Sequence, residues 1–116
     1  MATRKICKNL MVPRKTSRGY ELIFSKNGMA IDITDWTIYF TAKKRMEDAD
    51  NDAVIKKDIT SHSDPTNGKS LIQLTTDDTD LQGSYFFDIK YKDDIGNAGI
   101  LVDGRILFKE TVTSRG

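Results

Sequence analysis

Cysteine is almost missing from this chain: Cys7 stands alone in 116 residues. A single cysteine excludes an intrachain disulfide and fits synthesis in a reducing cytoplasm. With His62 as the only histidine, there is no Cys/His set for zinc. No apolar run approaches the roughly 20 residues of a membrane span, and the mean hydropathy is −0.48. The first residues, Met1 to Asn9, lack the apolar core of a secretory signal. Charge of one sign is missing too: the formal net charge is +1, which speaks against nucleic-acid binding by the chain as a whole. No glycine-rich phosphate loop, internal repeat, low-complexity tract or convincing amphipathic helix is present.

What is there suits one soluble globular domain, with 38% hydrophobic and 30% charged residues in 13.1 kDa. Residues 1–18 differ from the rest. Arg4, Lys5, Lys8, Arg14, Lys15 and Arg18 are basic, no Asp or Glu occurs, and Ile6, Leu10, Met11 and Val12 are apolar. Pro13 breaks any helix here. The composition predicts an extended basic arm of residues 1–18 ahead of a folded domain of residues 19–116. Three roles compete for the arm: docking on an acidic protein surface, which its apolar residues favour; a solvated tail; and nucleic-acid contact, which its lack of aromatics disfavours.

From Gly19 onward the chain reads as short strands. Tyr20, Leu22 and Phe24 alternate, Lys26-Asn27-Gly28 turns, and Ile31 and Ile33 follow. Trp36, Ile38, Phe40 and Ala42 alternate against Thr37, Tyr39, Thr41 and Lys43. Met46 to Asp52 is an acidic loop, and Val54 to Thr60 a strand. Asp64-Pro65-Thr66-Asn67-Gly68 is a strong turn. Ser70, Ile72 and Leu74 alternate next. Tyr85, Phe87, Ile89 and Tyr91 then face one way, with Phe86, Asp88, Lys90 and Lys92 facing the other. A hairpin loop at Asp93 to Asn97 leads to Ala98–Val102, Gly104 marks a bend or bulge, and Ile106 and Phe108 lie in a last strand.

Short strands with frequent turns predict an all-β, immunoglobulin-like antiparallel sandwich. Leu81-x-Gly83-x-Tyr85 resembles a tyrosine corner. With no disulfide, the core rests on packing: Trp36, Ile38, Phe40, Leu74, Tyr85, Phe87, Ile89, Tyr91, Ile106 and Phe108 are its expected members. Tyr39 and Phe86 fall on the opposite faces. Each fills a second layer or belongs to a subunit interface, where aromatics are enriched.

Candidate chemistry is thin. Ser61-His62-Ser63-Asp64 sets three triad residue types side by side, but a triad needs side chains converging from separate segments, so a solvated turn is the favoured reading. Asp48, Asp50 and Asp52 match the first ligand positions of a calcium loop, yet Ala53 and Ile59 replace its Gly and Glu. A loose surface calcium site and a solvated acidic loop both stay open, the loop favoured. Asp77, Asp78 and Asp80 read as turn formers. No catalytic residue, cofactor or structural metal is expected, and no enzymatic activity.

Four pieces in order carry a resemblance: Asp32-x-Thr34-x-Trp36 followed by Phe40-x-x-Lys43-Lys44, then Asp64-Pro65-Thr66-x-Gly68-Lys69, then Leu81-x-Gly83-x-Tyr85-x-x-Asp88-Ile89. Together, across Gly19 to Val112, the chain resembles the N-terminal domain family of phage baseplate upper proteins, which also occurs in phage tail-fibre and head-fibre proteins. The resemblance implies an immunoglobulin-like structural adaptor in a virion, made in the bacterial cytoplasm. Its partners would be other phage structural proteins, with homo-oligomers, trimers among them. Because this chain ends at Gly116, it is expected to be the bare domain with its arm, a small adaptor or decoration subunit of baseplate or tail, collar or neck, or head. The rival expectation is a glycan-binding or host-surface adhesion module, against which the loops hold few aromatics.

Overall fold

Alternation of apolar and polar residues sets which side of each strand is buried, and pairing sets the rest. The structure, a computed structural model, describes residues 3–5 and 8–113. In chain order its strands are β1 Thr3–Lys5, β2 Asn9–Pro13, β3 Arg18–Ile23, β4 Ser25–Lys26, β5 Met29–Ala30, β6 Thr37–Lys43, β7 Ile55–Ile59, β8 Lys69–Leu74, β9 Gly83–Lys92 and β10 Ala98–Lys109. They form an all-β sandwich. One sheet is three-stranded, β1-β3-β8, and the other five-stranded, β2-β10-β9-β6-β7; β4 and β5 make a small ribbon. The chain crosses between the sheets from β7 to β8 and again from β8 to β9, the order of an immunoglobulin-like sandwich.

The core lies between the sheets. Ile38, Phe40 and Ala42 on β6, Ile72 and Leu74 on β8, Tyr85, Phe87 and Ile89 on β9, and Ile106 and Phe108 on β10 are all buried. Phe40 stacks on Phe87 with ring centroids 5.8 Å apart, and Tyr85 meets Phe108 edge-on at 5.6 Å. Trp36 and Tyr91 are only partly buried. They stack on each other at 5.3 Å, and Phe24 packs edge-on against both. Burying such side chains contributes about 1.5–3 kcal/mol each.

Four expectations need correction. First, residues 9–13 are not an arm outside the domain. β2 pairs parallel with β10, from Asn9 opposite Arg105 to Pro13 opposite Lys109, and Leu10 and Val12 point into the core. A segment that alternates Leu10-x-Val12 completes a sheet edge at less cost than it stays solvated, because pairing satisfies its backbone and burial removes two apolar side chains from water. Second, Gly104 is no bulge. The irregularity in β10 falls between Ile100 and Val102, and Gly104 is where the Lys8 carbonyl crosses, 1.9 Å from where a Cβ would sit. Third, Ala98 to Lys109 is one continuous strand rather than two. Fourth, Tyr85 fills the core with its ring, and no hydrogen bond ties its hydroxyl to described backbone in the manner of a tyrosine corner.

The Asp64–Lys69 turn follows its sequence. Pro65–Asn67 is a single 3-10 turn, and Gly68 has φ +72, a left-handed conformation suited to glycine. Its amide donates to the Pro65 carbonyl, and its own carbonyl accepts from the Phe24 amide.

Candidate functional site

Every strand of the five-stranded sheet has a second face turned away from the core, and those residues define the site. Strand register lays them out in cross-strand rows. One row runs Asp58, Tyr39, Lys90, Ile100 across β7, β6, β9 and β10. The next runs Lys56, Thr41, Asp88, Asp103. A third joins Lys43, Phe86, Arg105 and Asn9 across β6, β9, β10 and β2. Beyond it, Leu107 pairs with Met11, and both are exposed, at 38% and 58%. The middle rows line an open trough of about 1020 Å³, with Met46 on its rim.

The rows bring Tyr39 and Phe86 onto one surface, each half-buried. Phe86 is capped by Arg105, whose guanidinium carbon lies 4.5 Å from the ring centroid, a cation–π contact. Arg105 also donates to the Ser84 hydroxyl at 3.1 Å. Lys43 pairs with Asp50 at 2.8 Å, and that hydrogen bond with its charge holds the Asp50 carboxyl below its ordinary range. Asp88 behaves oppositely. Burial pushes its carboxyl above the usual carboxylate value, although Lys43 and Lys90 oppose the shift. A like charge, Asp103, sits directly opposite it on β10, an arrangement that costs energy unless a donor answers it.

The residues expected in the arm are dispersed by the fold. Leu10 and Val12 are core, and Met11 is on the outer face. Arg14 is bound within the domain: its amide donates to the Lys109 carbonyl, and its guanidinium pairs with Asp80 at 2.9 Å and Glu110 at 3.2 Å. The Lys15 amide donates to the Thr79 carbonyl at 3.3 Å. Lys8 borders the trough. Ile6 lies outside the described residues, and of Arg4 and Lys5 only the backbone in β1 is described.

Several of the residues weighed for chemistry make local bonds. His62 Nε2 must donate to the Trp36 carbonyl at 2.8 Å, so in the neutral ring Nδ1 accepts from the Ser70 hydroxyl, also at 2.8 Å. Ser70 is fully buried, so its oxygen serves His62 as a structural partner. His62 thus pins β8 to the start of β6, beside a shallow hollow between the edges of β7 and β8; it does not sit in a solvated turn. Asp48 accepts the Arg45 amide at 3.2 Å, and Asp50 answers Lys43. Asp78 accepts the Thr75 amide at 2.8 Å and the Lys57 ammonium at 2.7 Å.

The sequence readings left out Lys56, Asp58, Asp88, Lys90, Asp103 and Arg105 as members of a site. Period-two alternation already placed Asp88 and Lys90 opposite the core, but only register shows which charge lies beside which.

The fold and this face define a sandwich with a mixed-charge, aromatic-bearing sheet surface. No family model matches the chain, and no curated protein sequence matches it. Among solved structures it is similar to the N-terminal domain of phage TP901-1 ORF48, at a TM-score of 0.57 and 10% identity over 94% of this chain and 99% of that one. At that identity the likeness concerns the fold.

Proposed function

We propose that this chain is a non-enzymatic structural module of a phage virion that docks on other phage structural proteins through the outer face of its five-stranded sheet. The observation that carries the reading is the fold likeness to the N-terminal domain of phage TP901-1 ORF48, which spans almost all of both chains. The ordered motifs from Asp32 to Ile89 that resemble the baseplate upper protein family support the same class of role. Docking falls to the sheet face because the arm's apolar residues Leu10 and Val12 are spent inside the domain. On that face Tyr39, Phe86 and Arg105 are the residue types that anchor interfaces.

The test is incorporation. A tagged chain supplied during particle production should enter particles, and Phe86→Ala with Tyr39→Ala should reduce entry at least ten-fold while leaving the fold intact by circular dichroism. Unchanged entry of the double variant would remove the face from the reading.

A further inference from the structure

We propose that Asn27 is a site of spontaneous covalent modification, where the Gly28 amide closes on the Asn27 side chain and converts it through a succinimide to aspartate and isoaspartate. The same dipeptide at Asn67-Gly68 is held back by the fold.

This chemistry asks three things of an asparagine. The next residue must leave the attack unobstructed, its amide must be free to act as nucleophile, and the side chain must be free to swing over the backbone. Asn9, Asn51 and Asn97 precede Leu10, Asp52 and Ala98, whose side chains crowd the attack. Only Asn27 and Asn67 precede a glycine.

At Asn27 the conditions are met. Asn27 and Gly28 form the loop between β4 and β5, with φ +53 and +78, the signature of a type I′ hairpin turn. Such a turn closes through Lys26 and Met29 on either side and leaves the Gly28 amide out of the ladder. Among the described residues, neither that amide nor the Asn27 side chain has a hydrogen-bond partner. Nothing lies within 4 Å of where a Cβ on Gly28 would stand. The ribbon rests on the pairs Ser25–Ala30 and Lys26–Met29, and residues 25–30 are all exposed, so opening it uncovers no core. A hairpin forms in about 1–10 μs, far faster than the chemistry, so the reaction rate follows the open fraction.

At Asn67 each condition fails. The Gly68 amide donates to the Pro65 carbonyl at 3.1 Å, and Asn67 Nδ2 donates to Asp64 Oδ2 at 2.9 Å. Gly68 is wedged against the backbone of Phe24 and Ile31, and its carbonyl accepts from the Phe24 amide. Freeing this nucleophile means parting the turn before β8 from the buried Phe24.

The step balances without a cofactor. The Gly28 nitrogen gives its proton to a solvent base and bonds to Asn27 Cγ. The Cγ–Nδ2 bond breaks, and Nδ2 takes up a proton and leaves as ammonia. Water then opens the ring, at the side-chain carbonyl to give aspartate or at the backbone carbonyl to give isoaspartate. Isoaspartate adds a carbon to the main chain, which a two-residue loop cannot take up while Lys26 stays opposite Met29.

The experiment is peptide mapping by mass spectrometry. The full chain is incubated for days at mildly alkaline pH, folded and in urea in parallel, with circular dichroism showing that the first sample stays folded. In the folded chain Asn27 should convert about ten-fold or more faster than Asn67, and electron-based fragmentation should find isoaspartate at position 27. In urea the two rates should converge to within about three-fold, because little beyond the shared dipeptide remains to separate them. Equal rates at the two sites in the folded chain, aspartate without isoaspartate, or an Asn27 that stays intact in the folded chain overturns the inference.

Discussion

Thr79 and Thr16 hold each other by two hydrogen bonds: the Thr79 hydroxyl accepts from the Thr16 amide at 2.9 Å and donates to the Thr16 carbonyl at 2.7 Å. Thr79 is fully buried. The pair fastens the turn after β2 to the crossover before β9, so the N-terminal strand is anchored from both its sheet and its turn. Thr79→Val keeps the shape and removes both bonds, leaving two backbone groups without partners. Urea unfolding should show a loss of about 2–3 kcal/mol, and Thr79→Ser should keep most of the stability.

The same anchoring makes β2 part of the folding unit. Leu10→Ala should cost about 2–5 kcal/mol, and deletion of residues 1–13 should abolish cooperative unfolding followed by circular dichroism. A freely attached arm would leave the unfolding midpoint of both variants unchanged.

Much of the sandwich could be read along the chain because its signal is local. Period-two alternation in Tyr85–Tyr91 and Trp36–Ala42 states which side is buried, and Asp64–Gly68 states a turn. The role of residues 9–13 was hidden for a physical reason. Leu10 and Val12 alternate over only one repeat, and the partner that buries them, β10, lies about a hundred residues later. The outer face was hidden similarly: Asp88 and Asp103 are fifteen positions apart in sequence, and only the β9–β10 register sets them side by side. His62 misled because its neighbours Ser61 and Asp64 suggested a turn, while its bonds go to Ser70 and Trp36.

Two glycines should resist replacement for different reasons. At Gly68, φ is +72 and an added Cβ would lie 2.4 Å from the Phe24 carbonyl oxygen, so Gly68→Ala meets both backbone strain and a backbone clash. At Gly104, strain is absent and the clash is with Lys8. Both alanine variants should lose about 2 kcal/mol or more. Gly104→Ala should also speed amide exchange selectively along residues 9–13, which is readable by mass spectrometry.

The Lys57–Asp78 pair sets a pH dependence. Burial alone would raise the Asp78 carboxyl, but hydrogen bonds from Lys57 and Thr75 outweigh it and hold the group below its ordinary value of 3.8. A group depressed on folding adds stability above its unfolded value and loses it as pH falls through the folded one. Asp78→Asn should therefore destabilise by about 1 kcal/mol at neutral pH. The difference should shrink below pH 3.8 and vanish once the native carboxyl is protonated, in parallel urea titrations.

The proposed role makes this chain a component of a virion. Quantitative mass spectrometry of gradient-purified particles from the strain that encodes it tests this most directly. The chain should band with the particles at a fixed ratio to the major structural proteins, through a high-salt wash. Its recovery only in the soluble lysate, with none on the particles, would overturn that role.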